Sequence, residues 1–380
     1  MTSGPEAGEI RTLVAAALQA PSGDNCQPWR FVWDGHTLQI GFNAERAESL
    51  YDVRHLASWI GLGAALTNLR ITAAALGYTV QTDLFPDGPD AAGVARVRFS
   101  ATSPGSGTGS TPGSGTVASA AGMLPEAIAR RCANRRPYRD APLAPALREQ
   151  IDAVVAATPG THLDVADRDP GKRRLAAAAA LNDRILFENR RLHDGLYRWL
   201  RWTAEETARR GDGLPIESLE LAGMERLGFR AMAAWPAAVA SAILGVTRML
   251  PMRTTGVYRR SSAIALLSVD GARPEDLVRG GEALERIWLT ATTEGAAMQP
   301  ITGVTCLMLR QQLCNGDGLS AVHCRVLDHA RRELEAVWTG CLQRTPVMLF
   351  RLGYADAPSA RAPRLPAESV LTLSPRQDQC

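Results

Sequence analysis

The chain has 380 residues, 46% hydrophobic and 21% charged, which fits a globular protein with a substantial core and suits two packed or fused units. Its net charge of +3, from 42 basic and 39 acidic residues, excludes a strong general attraction to nucleic acid. Seven scattered cysteines without a CxxC pair argue against a disulfide framework and for a reducing compartment.

The N-terminal MTSGPEAGEIR has no apolar core of the kind a secretory signal needs. RFVWDG and TLQIGF, within 30–42, predict a hairpin turning at Asp34 and Gly35. Asp52 is placed to cap a helical run, VRHLASWIGLGAALTNLRITAAAL, which Gly77 closes. RVRFS, 96–100, reads as a strand. Residues 101–120 contain 16 Gly, Ser, Thr or Pro in 20, too little apolar surface to order a segment, and predict a flexible connector. The expected organisation is therefore an N-terminal half over 1–100, the linker 101–120, and a C-terminal half over 121–380.

The second half contains helical stretches at 172–209 and about 217–250, expected to form an insertion over about 172–252. Within it, AMAAWPAAVASAILGV (231–246) is interrupted by Pro236 and falls short of the roughly 20 residues a membrane-spanning helix needs. It is expected to be a buried or lid helix. AIALLSV, from Ala263, and TPVMLFRLGY, 345–354, read as strands, and Pro274-Glu275-Asp276 opens another helical run ending at Gly295. Helices alternate with few strands, so the fold class expected is α+β. The six histidines have no metal-like spacing, and no metal is expected.

The two long helical runs align without a gap. GAALTNLRITAAALGYTVQ (63–81) lies over GEALERIWLTATTEGAAMQ (281–299), with identities at Gly63/Gly281, Ala65/Ala283, Leu66/Leu284, Thr72/Thr290, Ala73/Ala291, Gly77/Gly295 and Gln81/Gln299. The shared small residues and terminal glycine favour a duplication, which implies a pseudo-two-fold molecule.

Four segments outside the repeat could carry chemistry. APSGDNCQPWRF, 20–31, is accounted for by turn chemistry at Pro21-Ser22-Gly23-Asp24-Asn25 followed by a strand. In AIARRCANRRPYRDAPL, Arg131 and Arg135 are four apart, so a helix would project both guanidinium groups from one face as an anion cradle. Met298-Gln299-Pro300-Ile301-Thr302-Gly303 reads as a loop after the second helix, and Arg361 and Arg364 lie in a short basic tail beyond Arg351-Leu352-Gly353-Tyr354.

Taken together these segments resemble the nitroreductase family. PSxxNxQPWRF is matched at Pro21, Ser22, Asn25, Gln27, Pro28, Trp29, Arg30 and Phe31. The family's R-x-[S/T]-x-R element is matched at Arg131 and Arg135, with Ala133 replacing the hydroxyl residue and Asn134 the nearest substitute. The P-I-x-G loop is matched at Pro300, Ile301, Thr302 and Gly303, and the basic residue of the tail by Arg364 or Arg361. The order of markers differs from a typical homodimeric member: PSxxN comes first and is not repeated, so each half would supply part of one site and the second site would have decayed. This arrangement is similar to Acg-type proteins and to nitroreductase-like domains fused to ThiF-like adenylating proteins.

The resemblance implies a nitroreductase-like fold of two fused half-domains, an intramolecular pseudo-dimer binding FMN. It implies hydride transfer between NAD(P)H and a small organic substrate, with the flavin rather than a side chain carrying the chemistry. Other readings are an FMN-storage protein whose flavin is covered by a lid around 213–252, and a natural-product tailoring dehydrogenase. A ThiF-like adenylating protein is an implied partner, nucleic acid and membrane are not, and a bacterial cytoplasmic setting is expected.

Overall fold

The computed structural model of the chain describes residues 4–88, 93–102 and 125–374. Apart from Ala101 and Thr102, the connector expected over 101–120 lies outside the described residues. The first half runs α1 (Ala7–Ala17), β1 (Trp29–Trp33), β2 (Thr37–Phe42), α2 (Ala44–Ala47), α3 (Leu56–Ala75), β3 (Tyr78–Leu84) and β4 (Gly93–Ala101). The second opens with α4 (Pro125–Arg130), α5 (Pro145–Ala156) and β5 (Thr161–Ala166). A largely helical insertion follows: α6 (Gly171–Glu188), α7 (Arg190–Trp199), β6 (Leu200–Arg201), α8 (Ala204–Arg210), β7 (Leu214–Pro215), α9 (Gly223–Ala231), α10 (Trp235–Ile243) and α11 (Leu250–Arg259). The chain then completes β8 (Ala263–Val269), α12 (Pro274–Thr293), β9 (Ala297–Pro300), α13 (Gly303–Leu313), α14 (Ala321–Val337), β10 (Thr345–Gly353) and β11 (Leu371–Leu373). The fold is α+β.

The two helices aligned in sequence begin and end at equivalent positions and pack on each other. Glycine is what permits their approach. A Cβ on Gly63 would collide with the Val278 carbonyl, and one on Gly281 with the Ile60 carbonyl. Ile60 and Val278 are themselves equivalent in the alignment, so the contact is reciprocal, as across a two-fold axis. Gly77 and Gly295 end the runs at φ +82° and +70°, a left-handed closure that glycine adopts without a Cβ penalty.

The sheets repeat as well. One has the order β11-β1-β2-β4-β3 and the other β5-β8-β10-β9. Setting β11 aside, the strand order is the same, and every neighbouring pair is antiparallel. Both sheets bury their inner faces against α3 and α12 in one continuous core containing Phe31, Leu38, Leu66, Leu284, Trp288 and Phe350. A second core packs α6, α13 and α14 under the outer face of β8 and β10. The tail crosses back, and β11 pairs parallel with β1 (Phe31 opposite Leu371).

Two local expectations fail. Arg131 and Arg135 do not share a helix face, because α4 ends at Arg130 and Ala133 bridges to Met298 in an extended segment. The backbone here finds its partner across the fold, with Asn134 N–H donating to Met298 O at 3.0 Å, and local helix periodicity is overridden. The apolar run 231–246 is not a buried or lid helix: α10 buries only Ala238, while Ile243 is 81% exposed. No helix among the described residues is long and apolar enough to cross a membrane.

Candidate functional site

A cavity of about 760 Å³ opens between the two halves under the insertion. It is lined by all twelve residues nominated from sequence: Pro21, Ser22 and Asn25; Arg131, Ala133 and Arg135; Pro300, Ile301, Thr302 and Gly303; Arg361 and Arg364. Its size falls within the roughly 300–1,000 Å³ range of cofactor and small-molecule sites.

One end is strongly cationic. Arg131 is buried, lies 4.5 Å from the Trp288 ring centroid, and approaches Glu285 at 3.1 Å without the alignment of a hydrogen bond. It donates to the Gln19 carbonyl. Arg364 donates to Asn25 Oδ1 at 3.0 Å and to the carbonyls of Gln19 and Pro363, while its Nε is buried without a partner. Arg361 donates to the carbonyls of Ala129 and Arg131. Glu285 is the carboxylate that acts on Arg131 and Arg364; burial raises its pKa, and Arg131 pulls it back. Burial, followed by repulsion from Arg131, lowers Arg364 to about 9. Guanidinium groups held together by carbonyls, with too few carboxylates to neutralise them, form a site that gains energy from an anion.

The loop before β1 supports that end. Asp24, Asn25 and Gln27 all adopt left-handed backbone (φ +48°, +57° and +48°), a strained sequence for residues with side chains. Several bonds fix it: Ser22 Oγ accepts from Gln27 N–H at 3.0 Å, and Asn25 Nδ2 donates to Gly213 O and Pro363 O. Gln27 binds Gly211 O and accepts from Leu365 N–H. The turn therefore joins the first half to the insertion and to the tail, and aims Asn25 Oδ1 at Arg364.

Arg135 stands apart from the cluster. It donates to Ser218 O at 3.3 Å, and burial lowers its pKa against opposing contributions from Tyr258 and Asp24. Asp24 faces the same cavity. Burial pushes its carboxyl up to about 6, and the nearby Arg135 works in the opposite direction. The Tyr51 hydroxyl, also raised by burial, donates to Asn182 Oδ1 at 3.0 Å.

The wall after β9 is backbone. Ile301 N–H binds Leu349 O, and Thr302 precedes α13 without a side-chain cap, so the first turn of that helix opens at the cavity. The first N–H groups of a helix lack internal partners and suit electron-rich ligand atoms. Gly303 has no room for a Cβ, because Asn182 of α6 occupies that space. Cys306 lines the cavity as a neutral thiol, pushed up to about 12 by burial.

Asn134 does not stand in for the hydroxyl missing at Ala133. Its side chain is buried against Asp356 O and Arg136 N–H and lies outside the cavity lining. The lid is also not where the sequence placed it. From 213–252 only Leu214 and Ser218 reach the cavity, whereas α6 and α7 roof it with Asn182, Leu186, Leu196 and Trp199. Sequence reasoning missed Asp24 as a cavity group although it lies inside the first marker, and missed Glu285, whose signal was a lone acid on the apolar face of α12. Nothing in the sequence pointed to Asn182.

No family model matches the chain. It is 27% identical over 365 residues, 95% of this chain and 94% of the other, to the Mycobacterium tuberculosis protein named "Putative NAD(P)H nitroreductase acg". The likeness to this Acg-type protein runs end to end. An uncharacterized Mycobacterium tuberculosis protein is 29% identical over 91% of this chain, and the chain spans 46% of that relative's length. Among solved structures, the FMN-dependent nitroreductase NfnB from Mycobacterium smegmatis aligns over 66% of this chain and 99% of its own, with 17% identity and a TM-score of 0.35.

Proposed function

We propose that the chain is an FMN-dependent oxidoreductase that moves hydride between NAD(P)H and a small organic substrate. The observation that carries this reading is the cavity's charge layout, with Arg131 and Arg361 acting on the buried Arg364 and Arg135 standing apart from them. The chain fits FMN on its own chemistry. Arg131, Arg361 and Arg364, including the orphaned Arg364 Nε, would hold the phosphate. Arg135 and the first-turn N–H groups of α13 would face the electron-rich part of the ring. When bound, FMN supplies two-electron chemistry, which explains why the cavity holds no nucleophile–base pair. Asp24 can hold a proton on its carboxyl near pH 6, and α6 and α7 exclude water from above.

The same reading takes the molecule as an intramolecular pseudo-dimer of fused halves over 1–100 and 121–380. The matching strand orders, the reciprocal Gly63 and Gly281 contacts and the crossing of β11 support it. Six free cysteines among the described residues agree with a reducing cytoplasm. Occurrence of this region as 46% of a longer relative agrees with association with a further unit, for which a ThiF-like adenylating protein is the proposed partner.

The deciding experiment is a titration of flavin-free protein with FMN, followed by visible absorption and fluorescence. Binding is expected, and Arg364→Ala should weaken it by at least tenfold. Bleaching by NADH or NADPH, with turnover on a quinone or nitroaromatic, is expected to follow. Absence of FMN binding would overturn the proposal, and binding without turnover would leave sequestration as the function.

A further inference from the structure

Among the described residues, eleven large hydrophobic side chains are exposed, and eight of them lie between 224 and 252. Ile243, Met224, Leu244 and Met252 are between 73% and 81% exposed. None of the eight lines the cavity. Arg253 of α11 pairs with Glu225 of α9, which ties together the two helices that carry Met252 and Met224. Ile243, Leu244, Val246 and Met249 fill the connection from α10 to α11. The result is an apolar surface of a kind that single exposed residues do not make.

The charge around it is one-sided. Residues 223–260 contain six arginines and one acid, Glu225, whereas the whole chain carries a net charge of only +3. Arg226, Arg230, Arg248, Arg259 and Arg260 are exposed along the same segment; Arg226 pairs with Glu217 and Arg259 with Asp169, which leaves Arg230, Arg248 and Arg260 without a salt bridge among the described residues. A second copy of this face would bring like charge against like. An anionic bilayer satisfies both features, because headgroup phosphates receive the arginines while Met, Ile and Leu enter the acyl boundary.

We propose that α9–α11 and their connections form a peripheral docking surface for an anionic lipid bilayer, lying in the headgroup plane without crossing it. This departs from the sequence reading, which expected no membrane partner because it weighed only a spanning segment. The inference does not depend on FMN.

The test uses the full chain, sedimented with vesicles of phosphatidylcholine alone or mixed with phosphatidylglycerol, at low and high salt. Sedimentation with the mixed vesicles only is expected, weakening tenfold or more as salt rises. The triple substitution I243E/L244E/M249E, at exposed positions, should abolish it without changing the melting temperature. Should that variant fail to fold, Arg248→Gln with Arg260→Gln should weaken binding at least fivefold. No association with the mixed vesicles, or equal association with both kinds, overturns the proposal. A concentration-dependent dimer that the triple variant abolishes, without vesicle binding, also overturns it and assigns the face to a second copy.

Discussion

In the first half β1 passes to β2 through a turn at Asp34 and Gly35, whereas the corresponding β5 and β8 are separated by residues 167–262. Between β3 and β4 the chain makes a short connection, while between β9 and β10 it places α13 and α14. The strained PSGDN turn after α1 has as its counterpart the four residues 157–160 after α5. The halves thus share a scaffold and differ in their loops. The packing of α3 on α12 constrains both halves alike, while the loops that line the cavity differ, the first half giving the PSGDN turn and the second the arginines it supports. The helices carry the same asymmetry inward. Thr67 and Arg70 stand where α12 has Glu285 and Trp288, so a mirrored site would have no carboxylate and no aromatic face for a buried arginine.

Loss of Glu285 separates the two halves most strongly. Glu285→Ala leaves Arg131 buried and uncompensated and should cost about 3–5 kcal/mol. Thr67→Ala at the equivalent position loses only a hydroxyl bonded to Gly63 O and should cost about 1 kcal/mol. Urea denaturation of both variants decides it, and equal losses would mean that the buried pair does not distinguish the halves.

Next come the glycines. Gly63→Ala and Gly281→Ala should each destabilise by about 2–3 kcal/mol, since the obstructing atoms are backbone and cannot swing aside. Gly8→Ala, with open space around it in α1, should be neutral or stabilise by less than about 1 kcal/mol. Similar losses at 63 and 281 in thermal melts are the signature of a true dyad, and a large disparity would break it.

Asp24 differs from these in having a definite pH dependence. Its folded-state pKa, about 6, lies above the ordinary 3.8, so the folded protein binds this proton more tightly than the unfolded chain. The associated stability is fully present below about pH 4 and is lost as pH rises through about 6. Asp24→Asn should therefore stabilise by up to about 3 kcal/mol at pH 7 and by well under about 1 kcal/mol at pH 4. Melting curves at the two pH values check the sign.

Much of this was legible in sequence for identifiable reasons. Strands such as 345–354 and the hairpin at Asp34 announce themselves through short-range alternation and turn residues. The α3–α12 repeat was legible because close helix packing demands glycine at matching places. Residues 131–135 were not, because a long-range backbone pairing with Met298 replaced the local helix. Asn182 was not, because an insertion helix can present any of its faces to a cavity. The 231–246 run misled because apolar composition does not say what covers it.

The crossing of β11 has a consequence for synthesis on the ribosome. Phe31 N–H takes its partner from Val370 O, and Ser374 N–H donates to Trp33 O, so the outer edge of β1 is closed by residues made long after it. Until they emerge, an apolar strand containing Trp29, Phe31 and Trp33 presents unpaired backbone to every neighbouring nascent chain. β1 waits for β11, and the order of translation sets how long that edge stays open.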